Sequence, residues 1–210
     1  MINRLFGRKG PQAILADLYS MRGVDHLVGL IESECLRVVP LDEAVRGKGT
    51  AIILSTARKG TLVQVCPSLE QRALPATVMV SVDRVGLNAL SLEDERALYS
   101  LARPDATTTD PAALRRILGP LPLDRINPLI FPAMWRDLSK LTATLFVLGC
   151  DARDAEDPTT AIEDFGHRAG RSPGYVWTKD WEAGESAIAV NGRHTLSCRR
   201  INEGFELWPE

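Results

Sequence analysis

The dipeptide Asn191-Gly192 lies between two runs of strand character, Ala187–Val190 and Arg193–Cys198. Both turn residues tolerate positive φ, which a two-residue type I′ turn requires, so the stretch predicts a β-hairpin. An isolated hairpin is marginal in water, so this one must find a partner sheet or an apolar cover. Tyr175, Trp177, Trp181, Phe205 and Trp208 surround it, three of the chain's four tryptophans among them. The tail is therefore expected to be a small, aromatic-rich antiparallel meander over residues 186–208.

Upstream, Thr50–Thr56 and Thr61–Cys66 are rich in β-branched and apolar residues and are joined by Ala57-Arg58-Lys59-Gly60. That pattern predicts a second hairpin. Ala76–Val82 reads as its third strand, and its unbroken apolar character implies burial on both faces. Cys35–Val39 reads as a short strand. Ile14, Leu15, Leu18 and Met21 recur at helical spacing, as do Val24, Leu27, Val28 and Ile31. Leu41–Val45 is expected to make one helical turn. Ser91 and Asp110 are good N-caps for two further helices, and Thr159 or Thr160 caps a third.

Gly119, Pro120, Pro122, Pro128 and Pro132 crowd one stretch, which reads as a hinge or linker over residues 119–132. It separates an N-terminal α+β unit, residues 1–118, from a C-terminal unit, residues 133–210. One continuous domain is the other reading. Met134, Leu138, Leu141, Leu145 and Leu148 step by four, three, four and three, which predicts a long helix after the hinge. The expected fold class is α+β: an antiparallel sheet near residues 35–85, a helical middle segment and the C-terminal antiparallel meander.

With 210 residues, 45% of them hydrophobic, the chain can bury a substantial core. Its net charge of −2 gives no basic excess for neutralising phosphates, so no nucleic-acid partner is expected. The greasiest stretch, Pro128–Gly149, carries Arg136, Asp137 and Lys140 at its centre, which argues against a membrane span. The basic leader, residues 1–10, is not followed by an apolar signal segment, so a cytoplasmic protein is expected. Cys35, Cys66, Cys150 and Cys198 form no C-x-x-C pair and read as reduced thiols.

Motifs that would name a reaction are missing. The sequence holds no phosphate-binding glycine loop and no G-x-S-x-G elbow. Glu163 and His167 stand four apart on an expected helix, and His194 could join them, but nothing supplies the further ligands a metal needs. Asp151, Asp154, Glu156 and Asp157 form an acidic loop without the calcium-loop order, and Arg153 interrupts it. His26 reads as a solvated helix residue.

The expected function is thus a non-catalytic protein-binding module: an adaptor, a regulatory subunit, or an inhibitor or immunity-type factor. Tyr175, Trp177, Trp181 and Trp208 are its partner-binding rings, since such side chains concentrate at interface hot spots. No cofactor and no metal are expected, and a homo-oligomer is left open. The alternative is a small hydrolase with a site near His167 and His194, or an anion or nucleotide sensor using Arg168 and Arg171.

Overall fold

A computed structural model of the chain describes residues 12–86, 90, 92–102, 104, 110–121, 125–141, 145–153, 155–178, 187–190 and 194–206. Seven strands form one sheet in the order β5-β4-β3-β2-β1-β7-β6. They are β1 Ala13–Asp17, β2 Ala51–Leu54, β3 Ala76–Ser81, β4 Phe146–Asp151, β5 Tyr175–Trp177, β6 Ala187–Val190 and β7 His194–Asn202. All except β6 run parallel, and the sheet curls into a half-barrel.

The class is therefore α/β, not the expected α+β. The strands near residues 35–85 do not pair antiparallel: β2 lies parallel between β1 and β3. Thr61–Val65, expected as the return strand of a hairpin, is a π-helical turn that leads into helix α3, Cys66–Gln71. The C-terminal meander is corrected as well. Strand β6 does pair antiparallel with β7, Ala187 opposite Ser197, but β7 continues the main sheet by pairing parallel with β1. The turn at Asn191-Gly192 lies outside the described residues. The helix expected over Ile14–Met21 is instead β1, with α1, Met21–Ser33, following it. The long helix after the hinge shrinks to Trp135–Leu138, and β4 takes its end. Strands β3 and β4, on either side of the proline-rich stretch, are neighbours in register from Ala76↔Phe146 to Ser81↔Asp151.

Alternation along the strands explains the unbroken apolar runs. Side chains at successive strand positions point to opposite faces. Ile14, Ala16, Ile52, Leu54, Val78, Val80, Leu148 and Cys150 join one core with Val24 and Leu27 of α1 and Phe165 of helix α7, Pro158–Ala169. The alternate positions, Leu15, Ile53, Met79, Trp177, Leu196 and Cys198, fill the concave side, where Leu41 and Ala44 of the short helix Leu41–Val45 also pack. Both faces are covered, as parallel sheets require. Gly149 makes room for the end of the Met79 side chain, since a Cβ there would stand 2.5 Å from Met79 Sδ.

Helix starts follow local chemistry. Ser20 accepts from Arg22 N–H at the start of α1, and Asp157 from Thr159 N–H at the start of α7. The crossover between β3 and β4 carries helices Leu92–Ala102 and Pro111–Leu118, the second capped by Asp110. Leu98, Ile126 and Ile130 of this crossover, with Tyr19, make a third apolar cluster apart from the two main cores.

A polar cavity at the carboxyl ends of the strands

The concave face is mainly apolar, with Thr77 and Arg200 among its positions, and turns polar at the carboxyl ends. Following the alternation one step past Leu15, Ile53, Met79 and Gly149 brings Asp17, Ser55, Ser81 and Asp151. Asn202 of β7 stands opposite Asp17 in register. These five residues line one cavity of about 220 Å³. In parallel α/β sheets this is where ligands bind, because the strand ends and the loops after them converge there.

Arg58, on the loop after β2, is 3% exposed and organises one wall. Its Nε and Nη2 donate to the two oxygens of Asp17 at 3.1 and 2.9 Å. Nη1 and Nη2 donate to Asp94 at 3.0 Å each, and Nη1 also reaches the Ile130 carbonyl at 3.0 Å. Burial would pull this guanidinium's pKa down, but the bonds and charges of Asp17 and Asp94 outweigh it and the net shift is upward. The Phe205 ring lies 4.9 Å from the guanidinium carbon.

Another wall is built by Asp151 and Arg153, with Trp177 behind Arg153. Arg153 donates through Nε and Nη2 to the two Asp151 oxygens, each at 2.9 Å. Its guanidinium stacks 3.6 Å above the Trp177 ring. Carboxylate and indole together fix the fork in one orientation. Arg84 also lines the cavity. Three carboxylates and three guanidiniums thus share the site, and their formal charges cancel.

The third side comes from the chain's end. Glu203 accepts from the Tyr19 and Ser20 amides at 2.9 and 3.1 Å and pairs with the Ser20 hydroxyl. A Cβ at residue 23 would lie 2.6 Å from Glu203 Oε2, so Gly23 makes room for that carboxylate. The Tyr19 hydroxyl donates to the Gly204 carbonyl at 2.9 Å. Burial, and secondarily the Glu203 charge, push the Tyr19 phenol up to about 12. This docking places Gly204 and Phe205 beside the cavity.

Of the residues singled out from sequence, Asp151, Arg153 and Trp177 are at this site and the others are not. Trp177 is 1% exposed, Tyr175 is half-buried beside the same concave core, and Trp181 and Trp208 lie outside the described residues. Glu163, His167 and Arg168 are exposed on α7, where Arg168 faces Asp164 at 3.9 Å. Helix α7 runs back from the carboxyl end of β4, so His167, Arg168 and the exposed Arg171 sit at the far end of the sheet from the cavity. His194 opens β7, and its side chain lies outside the described residues. Four strand spacings of about 4.8 Å separate β7 from β4, so the topology does not bring His167 and His194 together. The acidic loop has structural duties: Asp151 holds Arg153, and Asp157 caps α7. The amide of Thr159, then the Thr160 hydroxyl, hold the Asp157 carboxyl below its usual range. Among the described residues no group of three or more His, Cys, Asp or Glu side chains is placed to hold a metal ion. Nor is any helix among them long and apolar enough to cross a membrane.

Sequence reading missed Asp17, Arg58, Asp94 and Asn202 as site residues. A signal was present. Asp17, Ser55, Ser81 and Asp151 each close an apolar run, whereas Asn202 follows Arg199-Arg200-Ile201 and carries no such mark. That pattern marks a site only once the strands are known to be parallel.

No family model matches the chain, and no curated protein matches it. A solved structure of similar shape is that of IcaB from Ammonifex degensii, at 12% identity and a TM-score of 0.48, covering 84% of this chain and 77% of that one. The reading of the chain as a non-catalytic protein-binding module is corrected alongside these findings. Of the two described partner-binding rings, Trp177 is interior and Tyr175 half-buried, and the polar site is a concave cavity rather than a flat aromatic patch.

Proposed function

We propose that the chain is an enzyme of the hydrolase class, acting on a small hydroxyl-rich substrate held at the carboxyl ends of the parallel strands. One observation carries this reading: five strands that are distant in sequence each end in a hydrogen-bonding side chain that lines the same cavity. The balanced charge favours a neutral substrate. Donors from Arg84, Arg153 and the serines, with acceptors from Asp17 and Asp151, match hydroxyl groups, which both donate and accept. Phe205 offers an apolar wall to a ring face.

In this reading, for an acylated sugar, Asp151 takes a proton from the water that attacks the acyl carbon, and the Arg153 guanidinium faces the carbonyl oxygen that gains charge. As the acyl C–O bond to the sugar breaks, the proton on Asp151 passes to the departing sugar oxygen. Asp17, held by Arg58, fixes a substrate hydroxyl. The buried, reduced thiols suit a reducing compartment, and a cytoplasmic location goes with this proposal. A panel of chromogenic glycosides and acylated sugars tests it. Turnover of at least one class is expected, falling about 100-fold or more in Asp151→Asn. His167→Ala is expected to leave it unchanged. Undiminished turnover in a folded Asp151→Asn protein, or a panel that is neither bound nor turned over, overturns the reading.

A further inference from the structure

Helices α4, Leu92–Ala102, and α5, Pro111–Leu118, belong to the β3–β4 crossover, and Asp94 and Ala97 of α4 help to line the cavity. The pair is tied together: Arg115 donates to Glu95 at 2.5 Å, and the Tyr99 hydroxyl to the Gly119 carbonyl at 2.9 Å. Its apolar contact with the body of the protein runs through the small cluster of Leu98, Ile126, Ile130 and Tyr19, separate from both main cores. The base of the crossover is fixed differently. Lys59 N–H donates to the Phe131 carbonyl at 2.8 Å, Ala133 N–H to Ala57 at 2.9 Å, and Gly86 N–H to Ala133 at 2.9 Å. One buried side chain spans both parts. Arg58 gives two bonds to Asp17 on the sheet and three to the crossover, at Asp94 and Ile130.

We propose that α4 and α5 form a lid that opens and closes over the cavity, and that Asp94, acting through Arg58, is the positioning residue that latches it. A unit with a small core of its own opens more readily than a sheet buried on both faces. A buried ion pair adds little net stability against an apolar alternative, but it fixes one geometry sharply. The same guanidinium holds Asp17, so latching the lid also sets the carboxylate that faces the substrate. Calling the motion a gate rests on the cavity being the substrate site; the latch does not.

Hydrogen exchange on the unmodified chain comes first. Amides of α4 and α5 should exchange as one unit, about 100-fold faster than those of β1, β2 and β3. Cavity access is then read by maleimide labelling of Ser81→Cys in a Cys35→Ser background, since Cys35 is an exposed native thiol. Asp94→Asn should raise that labelling rate about tenfold and speed exchange in α4 and α5 while sparing β2 and β3. Asp94→Glu should return most of the protection. Exchange of α4 and α5 at the sheet's own rate in the unmodified chain overturns the proposal even where the variants fold poorly. So does unchanged labelling in Asp94→Asn, or acceleration spread equally through the sheet. A lid that opens as expected over a cavity inert to every sugar probe sinks the hydrolase reading and leaves the lid standing.

Discussion

Arg58 shows how one residue joins fold to site. Sequence places it in a four-residue connection between two β-rich runs, where a charged side chain is ordinarily solvated. The structure buries it, and the cost is offset by five hydrogen bonds to two carboxylates and a carbonyl. Other buried ionisable groups give the molecule a pH dependence. Burial pushes the Cys66 and Cys150 thiols up from 9.0 to about 12, with nearby carboxylates adding to it, and Tyr19 rises from 10.0 to about 12. Each group keeps its proton longer when folded than when unfolded. Between about pH 9 and pH 12 the unfolded chain therefore binds fewer protons, and stability falls as pH rises. Below pH 9 these groups contribute their full share. The melting temperature should hold steady from pH 7 to 8.5 and then decline steeply, and Tyr19→Phe should soften the decline above pH 10. A melting temperature flat to pH 11.5 contradicts the assignment.

At the scale of elements, capped helices were the legible part. Val24, Leu27, Val28 and Ile31 mark α1, Ser91 and Asp110 foretell α4 and α5, and the turn at Leu41–Val45 forms as expected. The strands divide: β2 and β3 were legible as strands from Thr50–Thr56 and Ala76–Val82, but their parallel pairing was not, and β1 and β4 carried a helical spacing instead. Ala13–Asp17 is apolar without period-two alternation, and a short run of that kind cannot be told from a helix turn by periodicity. Residues 61–65 show the converse. Their β-branched composition suits a strand, yet Gly60 lets the backbone pass beneath the Tyr19 carbonyl, 2.0 Å from where a Cβ would stand, and the chain coils into α3. The hairpin signal at Asn191-Gly192 was read locally, and locally β6 and β7 do pair antiparallel. It carried no information about β7's other neighbour. That neighbour decides the tail's role: β7 pairs with β1 over five residues, Ala13↔Cys198 to Asp17↔Asn202, and so lies inside the sheet. A chain ending at residue 185 should therefore fail to fold, with no cooperative unfolding transition by circular dichroism. A truncated chain with a sharp transition near that of the full chain would mean the tail is an appendage.

For the whole molecule, the cavity is a consequence of topology. Parallel strands bring their carboxyl ends to one edge, and the β3–β4 crossover and the docked C-terminal segment wall it in. No local motif announces this, because Asp17, Ser55, Ser81, Asp151 and Asn202 are spread over most of the chain. The charge count was legible and its arrangement was not: a near-neutral chain gathers three carboxylates and three guanidiniums around about 220 Å³. Under the proposed function, that cavity is where the ligand binds. Amide chemical-shift mapping of the full chain, titrated with the neutral sugars of the substrate panel, tests it most directly. Shifts are expected to cluster at residues 55–58, 81–85, 151–153 and 202–205. Shifts confined to residues 163–171, at the opposite end of the sheet, would contradict the account.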